Sequence, residues 1–225
     1  MPDSPPVKIT TRSGTVRVVA TDGAALAVVG GVIEHLDDGT VHIRRERSAD
    51  AIEVTCATGT DITIGTVSGK VELVGRLGAV RVATVSGTIR TAETAGIDVR
   101  TKSGKVDIGV CAGDCRVMTK SASVHIRRAD RATVAAVSGV VLMEQVRGAE
   151  VKTISGKVLL SLAPNGERVS VHTVSGKVEV RVPAATLPST RLRTVSGKIR
   201  CDCPTGDDLE IAVASVSGAI RVSSD

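Results

Sequence analysis

The stretch Gly96–Ala112, GIDVRTKSGKVDIGVCA, decides the fold class. Ile97, Val99, Thr101 and Ser103 alternate with Asp98, Arg100 and Lys102. Alternation at period two marks a strand with one buried face. After Gly104 the apolar residues Val106 and Ile108 take the opposite parity. The phase therefore slips by one at Ser103-Gly104, and a slip needs a corner or bulge. Glycine suits such a corner because the backbone there often adopts conformations that a β-carbon forbids. The unit reads as strand, Ser-Gly corner, strand, then a looser turn that carries the length variation.

The same unit recurs along the chain. The serine of Thr-Val-Ser-Gly, or its stand-in, falls at Ser13, Gly30, Ser48, Ser68, Ser86, Ser103, Ser121, Ser138, Ser155, Ser175, Ser196 and Ser217. Successive gaps run from 17 to 21 residues. A short period held this long is the mark of a repeat architecture. Taken with the alternation, it predicts an all-β chain: a single parallel β-helix (a β-solenoid) of about twelve coils of 17–21 residues. One domain over 1–225 is expected, with a flexible lead at 1–6, irregular N-terminal coils at 7–60 and regular coils at 61–222.

Lysine settles which way the motif faces. Lys102 and Lys120 stand where the other copies place the valine of Thr-Val-Ser-Gly. A lysine does not sit unpaired in a thin apolar core, so that position points outward and the adjacent threonine inward. Thr66, Thr84, Thr101, Thr119, Thr153, Thr173 and Thr194 should form an internal ladder. Val67, Val85, Val137, Ile154, Val174, Val195 and Val216 should form an exposed β-branched ridge, a candidate partner surface. Lys70, Lys105, Lys157, Lys177 and Lys198 follow the glycine as a candidate basic column, with the last three expected on consecutive coils. Glu72, Asp107 and Glu179 lie two positions beyond three of those lysines, which favours a neutralised, solvated face.

Composition bears on several functions. The 225 residues include no Phe, Trp or Tyr, which weighs against base-stacking and sugar-stacking sites, since these rely on aromatic rings. The net charge of +5 is spread among both signs and implies no specific nucleic-acid footprint. The five cysteines are Cys56, Cys111, Cys115, Cys201 and Cys203, with no Cys-x-x-Cys pair. Cys201 and Cys203 share a strand face, a spacing compatible with a metal or redox pair, but histidine partners are lacking; small buried or half-buried thiols are the plainer reading. The histidines His35, His42, His125 and His172 are dispersed, and no Ser-His-Asp or Cys-His set converges. The chain is therefore expected to be neither an enzyme nor a binder of metal or cofactor. No secretory leader or membrane-length apolar run is visible, and the odd thiols suit a reducing compartment, so a cytoplasmic location is expected.

The run [Thr]-Val-Ser-Gly-[Lys]-Val, at 66–71, 173–178 and 194–199, resembles the bacterial putative-adhesin family known as domain of unknown function 4097. The resemblance spans nearly all of the chain, most clearly Asp61–Val222. The resemblance implies a parallel, right-handed β-solenoid with no established enzymatic activity, and it carries no catalytic residue over. The expected function is a non-enzymatic interaction or structural scaffold, self-associating by end or face contacts. The alternatives are a surface adhesin for carbohydrate or protein and, less favoured by the scattered acids, a polysaccharide-acting β-helix enzyme.

Overall fold

A computed structural model of the chain describes residues 5–45 and 50–224. The expected repeat serine Ser48 and the first residues of the expected lead, Met1–Ser4, lie outside the described residues. Thirteen strands are present among the described residues: β1 Val7–Thr10, β2 Thr15–Thr21, β3 Ala27–Val29, β4 Gly31–His35, β5 Val41–Arg45, β6 Ala51–Ala57, β7 Ile62–Gly65, β8 Ser68–Leu162, β9 Arg168–Val182, β10 Pro188–Ser196, β11 Ile199–Asp202, β12 Leu209–Ser217 and β13 Ile220–Ser224. Two compact units are formed, Met1–Gly113 and Asp114–Asp225.

The alternation and its slip are present at atomic level. Ile97, Val99 and Thr101 are buried before Gly104, and Val106 and Ile108 after it. Straight, the 95 residues of β8 would run about 310 Å at about 3.3 Å per residue, so the corners must fold it back. Gly104 turns with φ +124, and a β-carbon there would lie 2.0 Å from the carbonyl oxygen of Gly87, one repeat earlier. Glycine is required both by backbone angle and by the close approach of the neighbouring layer. Ala122 occupies the equivalent corner and, like the corner glycines Gly197 and Gly218, is absent from the residues with positive φ, so these corners turn differently.

The threonine ladder is internal, and its chemistry is local. Thr66, Thr101, Thr153 and Thr173 are buried, and each Oγ1 donates to the carbonyl of the serine two residues on, at 2.9–3.2 Å. The hydroxyl thus satisfies a corner carbonyl that the strand ladder leaves over. At Thr119, ahead of the Ala122 corner, Oγ1 has no partner. Thr173→Val should therefore cost about 1 kcal/mol, whereas Thr119→Val should be neutral or stabilising; urea unfolding followed by far-ultraviolet circular dichroism distinguishes the two.

The turn between repeats is tighter than expected. Within β8 it is itself strand, and it directs Leu77, Thr94 and Cys111 inward in the first unit and Ala129 and Val146 in the second. Only the longer repeats carry an open turn, as at 163–167, where Asn165 has φ 60.

The expectation of a single parallel β-helix of about twelve coils is not met. The sheet is mixed, with parallel and antiparallel pairs, and pairing does not follow chain order. In the first unit β4 runs antiparallel to β5 (Gly31↔Arg45, His35↔Val41), and β3 antiparallel to β6. Gly30, counted as a repeat corner, is a bend between β3 and β4. The reversal from β4 to β5 is a Asp38-Gly39 turn. Gly39 has φ +80, Thr40 donates to Asp38 Oδ1 at 2.9 Å, and that hydrogen bond holds the Asp38 carboxyl below the usual range. Moreover β1 lies between β5 and β7, and β2 between β6 and β8.

The second unit departs from chain order in the same way. The strands following β8 pair as β8–β9–β12–β10 along one side, and β9–β13–β11 along the other. The last repeat is thus inserted inside, and the repeat before it, β10–β11, is outermost. The expectation failed because near-identical repeats can pair in any order. Motif spacing records that layers exist, not which layer sits beside which.

Candidate interaction surface

The outward ridge is where parity placed it. In the first unit Val67 and Val85 are exposed, as is Lys102; in the second, Val137, Ile154, Val174, Val216 and Val195 are exposed, as is Lys120. Register sets the neighbours. Thr153↔Thr173 and Ser155↔Ser175 place Ile154 beside Val174, and Val216 then falls between Val174 and Val195. Layers in a sheet are about 4.8 Å apart, so these four branched side chains form one continuous apolar strip.

The lysine column is interrupted instead. Lys157 and Lys177 are register partners. Lys198 is not next, because Ala219 intervenes: Val178 N donates to Ala219 O and Ile220 N to Lys198 O, both at 2.9 Å. The expectation that the last three lysines lie on consecutive layers is corrected by the inserted final repeat. Two members are also paired. Lys70 meets Glu72 at 2.5 Å and Lys177 meets Glu179. These hydrogen bonds hold both carboxyls below their usual range. Lys105, Lys157 and Lys198 are exposed.

The outermost strands of each unit differ. In the first, β5 and β6 are flanked by β4 and β3, which carry exposed Val32, Ile33 and Val29. In the second, β10 and β11 are outermost, each, like β3 and β4, with a strand on one side only among the described residues. Their side chains show it. Ile199 is 44% exposed while its register partner Ile220 is 1% exposed, and Val195 is 83% exposed. Arg191, Arg193, Lys198 and Arg200 make this margin basic, with Arg200 held by Asp202 at 2.5 Å. Sequence reading placed the end of the molecule at the last repeat and so missed this margin. A signal was available: the repeat at 188–203 puts Cys201 where its neighbours put Leu160, Val180 and Val222.

Three of the four histidines are engaged by neighbouring side chains. His42 bonds Thr10 at 3.1 Å, His125 bonds Glu144 at 2.6 Å and His172 bonds Ser170 at 3.2 Å, on separate layers. A shallow hollow of about 690 Å³ in the first unit is lined by Thr10, Arg12, Arg44 and Arg45, among others. Arg44 is engaged by Glu34 at 3.3 Å and Arg45 by the Ser13 carbonyl at 3.0 Å. Among the described residues no group of three or more His, Cys, Asp or Glu side chains could hold a metal ion, and no helix is long and apolar enough to cross a membrane.

Residues 38–224 match the family model described as Toastrack DUF4097. No curated protein matches the chain. Among solved structures, a "putative adhesin" from Bacteroides fragilis aligns at 12% identity over 96% of this chain and 90% of its own, with a TM-score of 0.49. A "putative cell adhesion protein" from Clostridium sporogenes aligns at 10% identity over 97% of this chain and 92% of its own, with a TM-score of 0.22.

Proposed function

Because the chain belongs to the Toastrack DUF4097 family, we propose that it is a non-enzymatic interaction scaffold that self-associates through the β10–β11 margin. One observation carries the reading: among the described residues, the outermost repeat of the second unit has a strand on one side only, and it exposes Val195 and Ile199. A row of unpaired backbone donors and acceptors beside exposed branched side chains is a template for another strand.

Charge chooses between modes of self-association. Two-fold antiparallel pairing of β10 about Leu192 would set Arg191 opposite Arg193 of the second copy. Like charges directly opposite are destabilising. A heterologous contact avoids this. The margin at β4 exposes Val32 and Ile33, with Asp37 and Asp38 in the adjoining turn. It offers apolar surface and acid to the basic β10–β11 margin. Heterologous contacts generate rings or open chains of copies rather than closed dimers.

Sedimentation velocity from about 1 to 500 µM, the range of weak edge contacts, tests this. Mass should grow with concentration, and Val195→Lys combined with Ile199→Lys should leave a monomer of unchanged circular dichroism. A wild-type chain that stays monomeric over the whole range overturns the reading.

A further inference from the structure

Cys201 is the exposed end of an otherwise aliphatic column, and Cys203 lies two residues beyond it. Leu160, Val180, Val222 and Cys201 are successive register partners. The first three are buried, while Cys201 is exposed and Cys203 partly so. The two sulfurs are 3.1 Å apart. Cys201 is within β11, and Cys203 is in the bend immediately after Asp202. Two residues along a strand separate α-carbons by about 6.6 Å, within the span that a disulfide tolerates, and the bend draws the side chains together. The other three cysteines, Cys56, Cys111 and Cys115, are buried.

We propose that Cys201 and Cys203 form a redox-active dithiol, oxidised to an intramolecular disulfide by small-molecule disulfides. The two thiols are not equivalent. Partial burial, then the hydrogen bond and charge of Cys201, push the Cys203 thiol up to about 11. Cys203 therefore keeps its proton the longer, and Cys201 is the more accessible of the two sulfurs. Cys201 is the attacking sulfur and Cys203 the resolving one.

With oxidised glutathione as the oxidant, the steps balance as follows. The Cys201 thiolate attacks one glutathione sulfur, the glutathione S–S bond breaks, and one glutathione thiolate leaves and takes up a proton. Cys203 then loses its proton and attacks the Cys201 sulfur. A Cys201–Cys203 bond forms as the second glutathione thiolate leaves and is protonated. The protein gives up two electrons and two protons, and one oxidised glutathione becomes two reduced molecules.

The experiment is reaction of the full folded chain with oxidised glutathione, acid quench, and intact-mass and peptide analysis. Wild type should lose about 2 Da, the two hydrogens of a dithiol, with the link mapped to 201–203 and two fewer thiols open to alkylation than in the reduced chain. Cys203→Ser should stop at a glutathione adduct on Cys201, and Cys201→Ser should react much more slowly. The proposal is overturned if wild type accumulates the same lasting adduct as Cys203→Ser, or if all its thiols remain alkylatable. Because the wild-type mass and map decide by themselves, a variant that fails to fold does not blunt the test.

Discussion

Gly176→Ala should destabilise the protein by about 4 kcal/mol, a figure that combines backbone strain with overpacking. Gly176 has φ +139, and a β-carbon there would stand 2.0 Å from the Gly156 carbonyl oxygen. Backbone of the neighbouring layer cannot swing aside as a side chain can, so the corner must open. Opening it disturbs more than one layer, because a β-carbon at Gly218 would meet the Gly176 oxygen at 2.1 Å, and one at Gly197 the Gly218 oxygen at 2.1 Å. These glycines stand directly over one another. Gly23→Ala is the control. It too has a positive φ, +67, but open space surrounds it. Only the left-handed backbone penalty of about 1–2 kcal/mol applies there. Urea unfolding of both variants separates strain from close approach: equal losses would mean that the stacked carbonyls contribute nothing.

What the sequence made legible was local. Alternation at Ile97, Val99 and Thr101, the phase slip at Gly104 and the outward valine position each depend on a few neighbouring residues, and each is found in the structure. Lys102 and Lys120 were informative because burying an unpaired charge costs so much that two residues orient a whole column. What stayed hidden was long-range. Nothing in Val-Ser-Gly states which other Val-Ser-Gly lies beside it, so chain order served as a default and failed at both terminal regions. The antiparallel segment was readable in part. Asp38-Gly39 between apolar runs is a hairpin signal, but counting Gly30 as a repeat corner concealed it. The outward direction of the ridge side chains follows from parity and is found, whereas the exposed β10–β11 margin depends on layer order and could not be seen from the motif.

Layer order can be tested with one matched pair of substitutions. Ile199 and Ile220 occupy the same place in successive repeats and are register partners. Stacked in chain order, Ile220 would belong to the outermost layer and Ile199 to an inner one. The observed order reverses this: β13 lies between β9 and β11, so Ile220 is 1% exposed and Ile199 44%. Ile220→Ala should therefore cost about 2–5 kcal/mol, the range for deleting a buried aliphatic side chain. Ile199→Ala should cost less than about 1 kcal/mol, since much of what it removes is already in water. Both variants delete the same atoms from equivalent strands, so differences in strand propensity largely cancel. The ranking reports which repeat is enclosed. If Ile199→Ala proved the costlier substitution, the final repeat would be the outer layer, the β10–β11 margin would be covered, and the proposed contact there would lose its basis.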